Sequence, residues 1–251
     1  MPRRIVLFLV LCACAAAVCV RLGFWQLSRL AQRRARNSQV SGRLAEPVAE
    51  LTQLAPDSSS RLRGVQVTGA PDFDHELVLA ARSFQGSPGV HLLTPVRISG
   101  RDTAILVNRG WVYAPDGARV DLARWREHGS SFTGYAELLP TMPDGSGGGA
   151  PPDTSRILRR LDYAAVARAL PYPVSRLYLV ATATDSSIPA NTRVARLPAP
   201  VLDEGPHLGY AIQWFSFAII AVVGGAAVAI RRAAEREVVR LPSANGRLTR
   251  W

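Results

Sequence analysis

Residues 208–230 read LGYAIQWFSFAIIAVVGGAAVAI, a run of 23 residues without a formal charge. Asp203 and Glu204 precede it, and Arg231 and Arg232 follow it. As a helix rising 1.5 Å per residue it reaches about 35 Å, enough to cross the hydrocarbon core of a bilayer. Its basic flank reads as the cytoplasmic side, which puts the residues before it outside.

A second apolar run opens the chain. Arg3 and Arg4 lead into Ile5 to Val20, then Arg21, then Leu22-Gly23-Phe24-Trp25. Carried to Trp25, it spans about 32 Å, with Arg21 near the far end, where its long stem can snorkel to the headgroups. The alternative is a cleaved signal peptide with Ala15 to Ala17 as its small-residue region. The length of the run and its aromatic end favour a retained span. Arg29, Arg33, Arg34 and Arg36 after this run oppose the orientation set by residues 208–230, whose contrast is cleaner and decides it. The expected organisation is a cytoplasmic N-terminus at 1–4, a transmembrane helix at 5–25, an extracytoplasmic domain at 26–207, a second transmembrane helix at 208–230 and a basic cytoplasmic tail at 231–251. That makes a two-span cell-membrane protein with both termini inside.

The charge pattern agrees. All 30 basic residues are Arg and the net charge is +11. Residues 1–43 carry eight Arg and no acid, residues 231–251 carry six Arg against two Glu, and residues 44–230 are within one charge of neutral. A nucleic-acid-binding domain concentrates its excess on a folded face, so the pattern fits membrane flanks and excludes DNA and RNA as partners. Cys12, Cys14 and Cys19 all lie in the first run, leaving the exterior domain without a disulfide. Cys12 and Cys14 suggest soft-metal or lipid attachment, but side chains two apart on a helix diverge by about 200°, and small residues in membrane helices serve packing.

Between the spans the pattern predicts a β-rich α+β domain. Strands are expected at 61–68, 77–83, 90–98, 103–108, 131–138 and 176–182, bounded by Gly, Pro or Asp, and short helices at 118–127 and 161–170. Residues 140–155 are Pro/Gly-rich and read as a surface insertion.

Catalytic chemistry is thin. None of His75, His91, His128 and His207 belongs to a nucleophilic triad, and His91 and His128 read as ordinary residues of the exterior domain. His75-Glu76 begins like a zinc-protease helix, but Leu79 stands where the second His is needed. The chain has no nucleophile elbow, no phosphate loop and no lysine. The acid pairs Asp72/Asp74 and Asp203/Glu204 read as solvated loop charges. No catalytic residue is assigned.

Three constellations stand out. Trp25, Gln26 and Arg29 sit where the first span ends, the usual place for an aromatic anchor. Asn108, Arg109 and Trp111 lie in VNRGWV at 107–112, which reads either as a partner contact or as a strand-end turn at Gly110. His207, Tyr210 and Trp214 recur at i, i+3 and i+7 at the head of the second span, with Gly209 leaving room beside them; a titratable stripe at a bilayer surface points to function. Two successive spans run antiparallel, so the first and third constellations share one layer. Ala13 and Ala17 on one helix, and Ala221 and Gly225 on the other, are the small residues expected at their contact.

Taken together, LGFWQLSR at 22–29, LTP at 93–95, VNRGWV at 107–112 and HLGYAIQW at 207–214 make the chain resemble the Surfeit locus protein 1 family of cytochrome c oxidase assembly factors. The order of these stretches and the two-span layout match along nearly the whole chain. The resemblance implies a non-enzymatic role in maturing the haem a-containing oxidase, with the catalytic subunit and the haem a synthesis machinery as partners and haem a as a transient cofactor. His207 would be the iron ligand, Tyr210, Trp214 and Trp25 would lie against the porphyrin, and Arg29 or Arg109 would meet its propionates. Gln26, Asn108 and Trp111 would make further contacts with haem or a partner. Two other readings stay open: a scaffold that docks oxidase subunits without haem, and a membrane-anchored hydrolase of unrecognised type.

Overall fold

The computed structural model describes residues 3–127, 129–142, 156–182 and 193–240, with side chains to 235 in the last helix. His128, most of the insertion and the end of the basic tail lie outside the described residues. The chain forms two compact units, one of residues 1–38 with 203–251 and one of residues 39–202.

The first unit is a pair of helices. Helix α1 runs from Arg3 to Ala45 and α3 from His207 to Arg240. Both are long and apolar enough to cross a membrane. Helix α1 does not stop at Trp25 but continues about 30 Å further through a polar stretch rich in Leu, Ala, Arg and Gln, good helix formers with no Pro until Pro47. Pro47 disfavours the helical conformation at Glu46, and the helix ends. Asp203 and Glu204, read as solvated charges, instead hold this extension while staying exposed. Arg33 donates to the Asp203 carboxylate at 2.9 Å, Asn37 to the Asp203 carbonyl at 2.7 Å, and Arg34 pairs with Glu204 at 2.7 Å.

The helix contact follows a three-four spacing. On α1 the least exposed positions as far as Leu30 are Ile5, Leu9, Cys12, Ala16, Cys19, Leu22, Gly23, Gln26 and Leu30; on α3 they include His207, Ala211, Trp214, Ala218, Ala221 and Gly225. Such spacing sets a narrow seam of two antiparallel helices. The expected small residues Ala221 and Gly225 lie on it, whereas Ala13 and Ala17 are exposed, one position out of phase with Ala16. At Gly23 the Phe215 ring takes up the space of a side chain: a Cβ there would stand 2.7 Å from it.

Among the described residues the second unit is a nine-stranded mixed sheet. In chain order its strands are β1 (Ala49–Glu50), β2 (Gly64–Thr68), β3 (Ala70–Pro71), β4 (Leu77–Phe84), β5 (Ser87–Arg97), β6 (Ile105–Tyr113), β7 (Ser131–Leu138), β8 (Ile157–Leu158) and β9 (Leu177–Ala181). They lie side by side as β1-β2-β7-β9-β6-β5-β4-β8, with β3 also on β5. All six expected strands are present. Both faces of the sheet are covered: Val65, Val67, Val107 and Leu179 pack in one cluster, while Leu77, Leu93 and Leu106 pack under α2 (Tyr163–Ala169) with Val166 and Leu170. Burial on both faces is why the central strands read as continuous apolar runs. The helix expected at 118–127 is instead a loop with one 3₁₀ turn at Leu122–Trp125. Asp116 accepts from the amides of Ala118 and Arg119 as a cap would, but Asp121, inside the expected helix, accepts from the Ala123 amide as the cap of this new turn and so takes it from the helical ladder.

Candidate functional site

In the helix pair, His207 and Gln26 meet across the seam. The Nδ1 of His207 lies 2.9 Å from Oε1 of Gln26, 181 residues away in sequence. With an amide oxygen as its partner, Nδ1 is the donor of this bond, which leaves Nε2 for a second partner. Orientation of one imidazole nitrogen by an oxygen is the usual support of a metal-binding histidine. Pro206 precedes the ring, its carbonyl accepting from the Tyr210 amide at 3.1 Å, so the helix begins at His207. Trp214 sits on the seam at half exposure and touches Phe217 edge-on at 5.9 Å. Tyr210 flanks the seam and is exposed. Gly209 faces open space, with nothing for its small size to accommodate.

Trp25 and Arg29 share this layer but not this face. Trp25 is one residue before Gln26, about 100° around the helix, and is 49% exposed. The Arg29 guanidinium lies 5.5 Å from the centre of its ring. The structure therefore joins His207 and Gln26, places Trp214 two turns further along the same seam, and leaves both Tyr210 and Trp25 exposed, Tyr210 beside the seam and Trp25 turned outward.

In the sheet unit, the VNRGWV stretch is not a strand end. Strand β6 runs through it to Tyr113, with a bulge: Leu92 pairs Gly110 and Leu93 pairs Asn108, leaving Arg109 as the extra residue. The bulge sends Arg109 inward, where its side chain has no exposed area. Nε donates to Thr94 at 2.7 Å and to Glu76 at 3.1 Å, Nη2 to Glu76 at 2.5 Å, and Nη1 to the Trp125 carbonyl at 2.6 Å. Thr94 also donates to Glu76. Glu127 stands 3.6 Å from Arg109 and pairs with Arg196 at 2.8 Å, while Arg196 also donates to the Arg109 carbonyl. Arg109 thus ties together Glu76 just before β4, Thr94 in β5, the 122–127 loop and the segment at 196. Arg109, expected at a partner or propionate contact, is placed with its donors bonded inside the domain.

Its neighbours have equally local duties. Asn108, 4% exposed, accepts from the Gly110 amide and donates to His91 at 3.3 Å. Gly110 has φ +125°, and a Cβ there would stand 2.2 Å from the Ala195 carbonyl, so only glycine fits. Trp111 lies over Gly89 and near Phe84, half-buried. His91 is not an ordinary surface histidine: burial, aided by the Arg82 charge, pulls its pKa down to about 4. Sequence reasoning missed Glu76, Thr94 and Glu127. The available signal was an arginine inside an apolar strand, which demands buried partners. Elsewhere, Asp72 accepts from Tyr172 at 2.7 Å and His75 at 2.8 Å; burial opposes its charge, but these bonds outweigh it and hold its pKa below the usual value.

The profile of the SURF1 family matches residues 13–219, a span reaching from α1 across the sheet to α3. The chain is 30% identical over 208 residues to an uncharacterized SURF1-like protein of Mycobacterium tuberculosis, covering 80% of this chain and 73% of the relative. It is 27% identical over 212 residues to a SURF1-like protein of Rickettsia felis, covering 82% and 89%, and 26% identical over 204 residues to one of Rickettsia prowazekii, covering 80% and 81%. Both LGFWQLSR and HLGYAIQW, which supply the two sides of the Gln26–His207 contact, fall inside the matched span. The chain belongs to the SURF1 family, known as cytochrome oxidase assembly factors.

Proposed function

We propose that this protein is a membrane-anchored, non-enzymatic assembly factor for haem a-containing cytochrome c oxidase, which holds haem a transiently at His207 for delivery to the catalytic subunit. Its partners are that subunit and the machinery that makes haem a. Helices α1 and α3 span the cell membrane, the sheet domain is extracytoplasmic and both termini are cytoplasmic, the orientation that Arg231 and Arg232 favour after the second apolar run.

The observation that carries the haem reading is the Gln26–His207 bond. It fixes one ring nitrogen and leaves Nε2 as the atom that would ligate iron, and the donor set fits haem: one oriented histidine with Tyr210 and Trp214 on the same helix to lie against the porphyrin. When bound, haem supplies an iron coordination site and a planar apolar surface. The chain's own residues hold, orient and release it. Trp25 and Arg29, turned away from the seam, are left out of this set, and so are the buried Asn108 and Arg109. The half-buried Trp111 belongs to the sheet domain, where it is free to serve a protein contact.

The scaffold reading draws on the same bond, which by itself satisfies the histidine at the helix start. Absorption spectra of the detergent-purified protein from cells that make haem a separate the two. A haem band lost on His207→Ala, with accumulation unchanged, is expected; a wild-type protein free of haem favours the scaffold. Deleting the gene is expected to lower cytochrome c oxidase activity and spare oxidases without haem a, whereas equal loss of all respiratory complexes would overturn the assembly role. Reporter fusions near Gly147 and after Arg240 are expected outside and inside, and the reverse would overturn the orientation.

A further inference from the structure

On α1, Arg21, Trp25 and Arg29 recur every four residues and so form one stripe. Beside it Ala17, Val20, Arg21, Leu22, Phe24 and Trp25 line an apolar cleft of about 840 Å³. Apart from Leu22, which borders the seam, its lining residues are exposed and off the seam positions Ala16, Cys19, Gly23 and Gln26. Val20, Phe24 and Trp25 are 38%, 61% and 49% exposed, leaving apolar surface that no part of the described chain covers.

The charges are the unusual part. Arg33 and Arg34 have found acids. Arg21 makes no hydrogen bond or ion pair among the described residues, and Arg29 has only the neutral Gln32 at 3.2 Å and the Trp25 ring. Helical side chains lean toward the N-terminus, and Arg29 leans back over Trp25 accordingly. Arg21 stands one turn deeper, about 6 Å below Trp25, and can reach up to the same layer only by snorkelling. Only Arg29 lies over the Trp25 ring, and an anion held at that level would give Arg29, and Arg21 on snorkelling up, the counter-charge that neither has among the described residues.

We infer that the α1 cleft is a binding site for one anionic phospholipid, with its phosphate between Arg21 and Arg29 at the level of Trp25 and an acyl chain along Ala17, Val20 and Phe24. Guanidinium pairs well with phosphate, and the cleft continues from the charged end into purely apolar lining. A haem propionate offers the same charge, but His207 and Trp214 lie on the seam, whereas Arg21, Phe24 and Trp25 of the cleft are exposed off it. The inference rests on α1 spanning a bilayer.

The test uses the full chain reconstituted in vesicles of equal parts phosphatidylglycerol and phosphatidylcholine. Resistance to alkaline extraction is measured first; loss of insertion by the wild type would overturn the membrane reading itself. Inserted protein is then released into detergent, and its retained lipid is identified by native mass spectrometry. We expect one phosphatidylglycerol per chain, with Arg21→Gln and Arg29→Gln each lowering its retention roughly tenfold. Arg21→Lys should recover part of the loss, and Arg36→Gln, off the cleft, should change nothing. Val20→Trp, which fills the cleft without touching a charge, should also expel the lipid, and it keeps the test valid if an Arg21 variant inserts poorly. Equal retention of both lipids, equal effects of all three Gln variants, or loss of the haem band in place of the lipid would each overturn the site.

Discussion

Glu76 and Arg109, 33 residues apart in sequence, form an ion pair in which neither side chain has any exposed area. A buried charge that loses its partner is left without water or a counter-charge, at a cost of about 3–5 kcal/mol. Glu76→Ala and Arg109→Ala are therefore each expected to destabilise the sheet domain by about that amount. Because both break one network, the double variant should cost well below the sum, as measured by denaturant unfolding of the full chain in detergent. Additive losses would mean that the two residues act independently.

The histidine beside this network gives a pH prediction. His91 has its folded pKa depressed to about 4 by burial and by the Arg82 charge. Its neutral form contributes stability that is fully present above the unfolded value near 6.5 and is lost as pH falls from there through about 4, because only the unfolded chain takes up the proton in that window. His91→Gln keeps an acceptor for Asn108 and removes the titration. Its melting temperature should fall less steeply than that of the wild type between those two pH values, and parallel curves would show that the histidine is not the titrating group.

These two cases mark what the chain discloses on its own. Strand β7 spans 131–138 in both readings, because SFTGYAEL is short, alternating and bounded by turn residues. The apolar spans are equally plain. The polar half of α1 is not, since its contacts with Asp203 and Glu204 come from 170 residues away. VNRGWV was visible as an unusual string, but its explanation needs Glu76, Thr94, Trp125 and Ala195, brought together only by the sheet. The Gln26–His207 pairing was half legible: antiparallel spans force a common layer, and the rotation of each helix within it depends on the seam, whose phase the Ala13/Ala17 reading missed by one residue.

That rotation can be tested through the haem reading. Gln26→Leu removes the oxygen that orients His207, so the haem band should weaken by roughly tenfold in occupancy, the usual effect of deleting an orienting partner of a metal ligand. Trp25→Ala, on the outward side of the same helix, should leave the band unchanged. A spectrum sensitive to Trp25 and indifferent to Gln26 would reverse the assignment of faces.

The register of the helices themselves is open to a direct chemical test. A Cβ placed on Gly225 would stand 3.3 Å from the Cβ of Cys12, near the 3.5–4.5 Å separation of a disulfide. In a background with Cys14 and Cys19 replaced by Ser, Gly225→Cys is expected to cross-link to Cys12 under mild oxidation. Cleavage of the chain between the helices, followed by non-reducing electrophoresis, would show the two fragments still joined. Gly224→Cys, with no neighbour within 4 Å, should not cross-link. At the other end of the seam, Gly23→Ala would press a methyl to 2.7 Å from the Phe215 ring and push the helices apart, lowering the cross-linking yield at Gly225. Adding Phe215→Ala clears that space and should restore the yield. Strong cross-linking at Gly224, or no effect of Gly23→Ala, would mean that the helices meet on other faces, and the Gln26–His207 contact would then lose its basis.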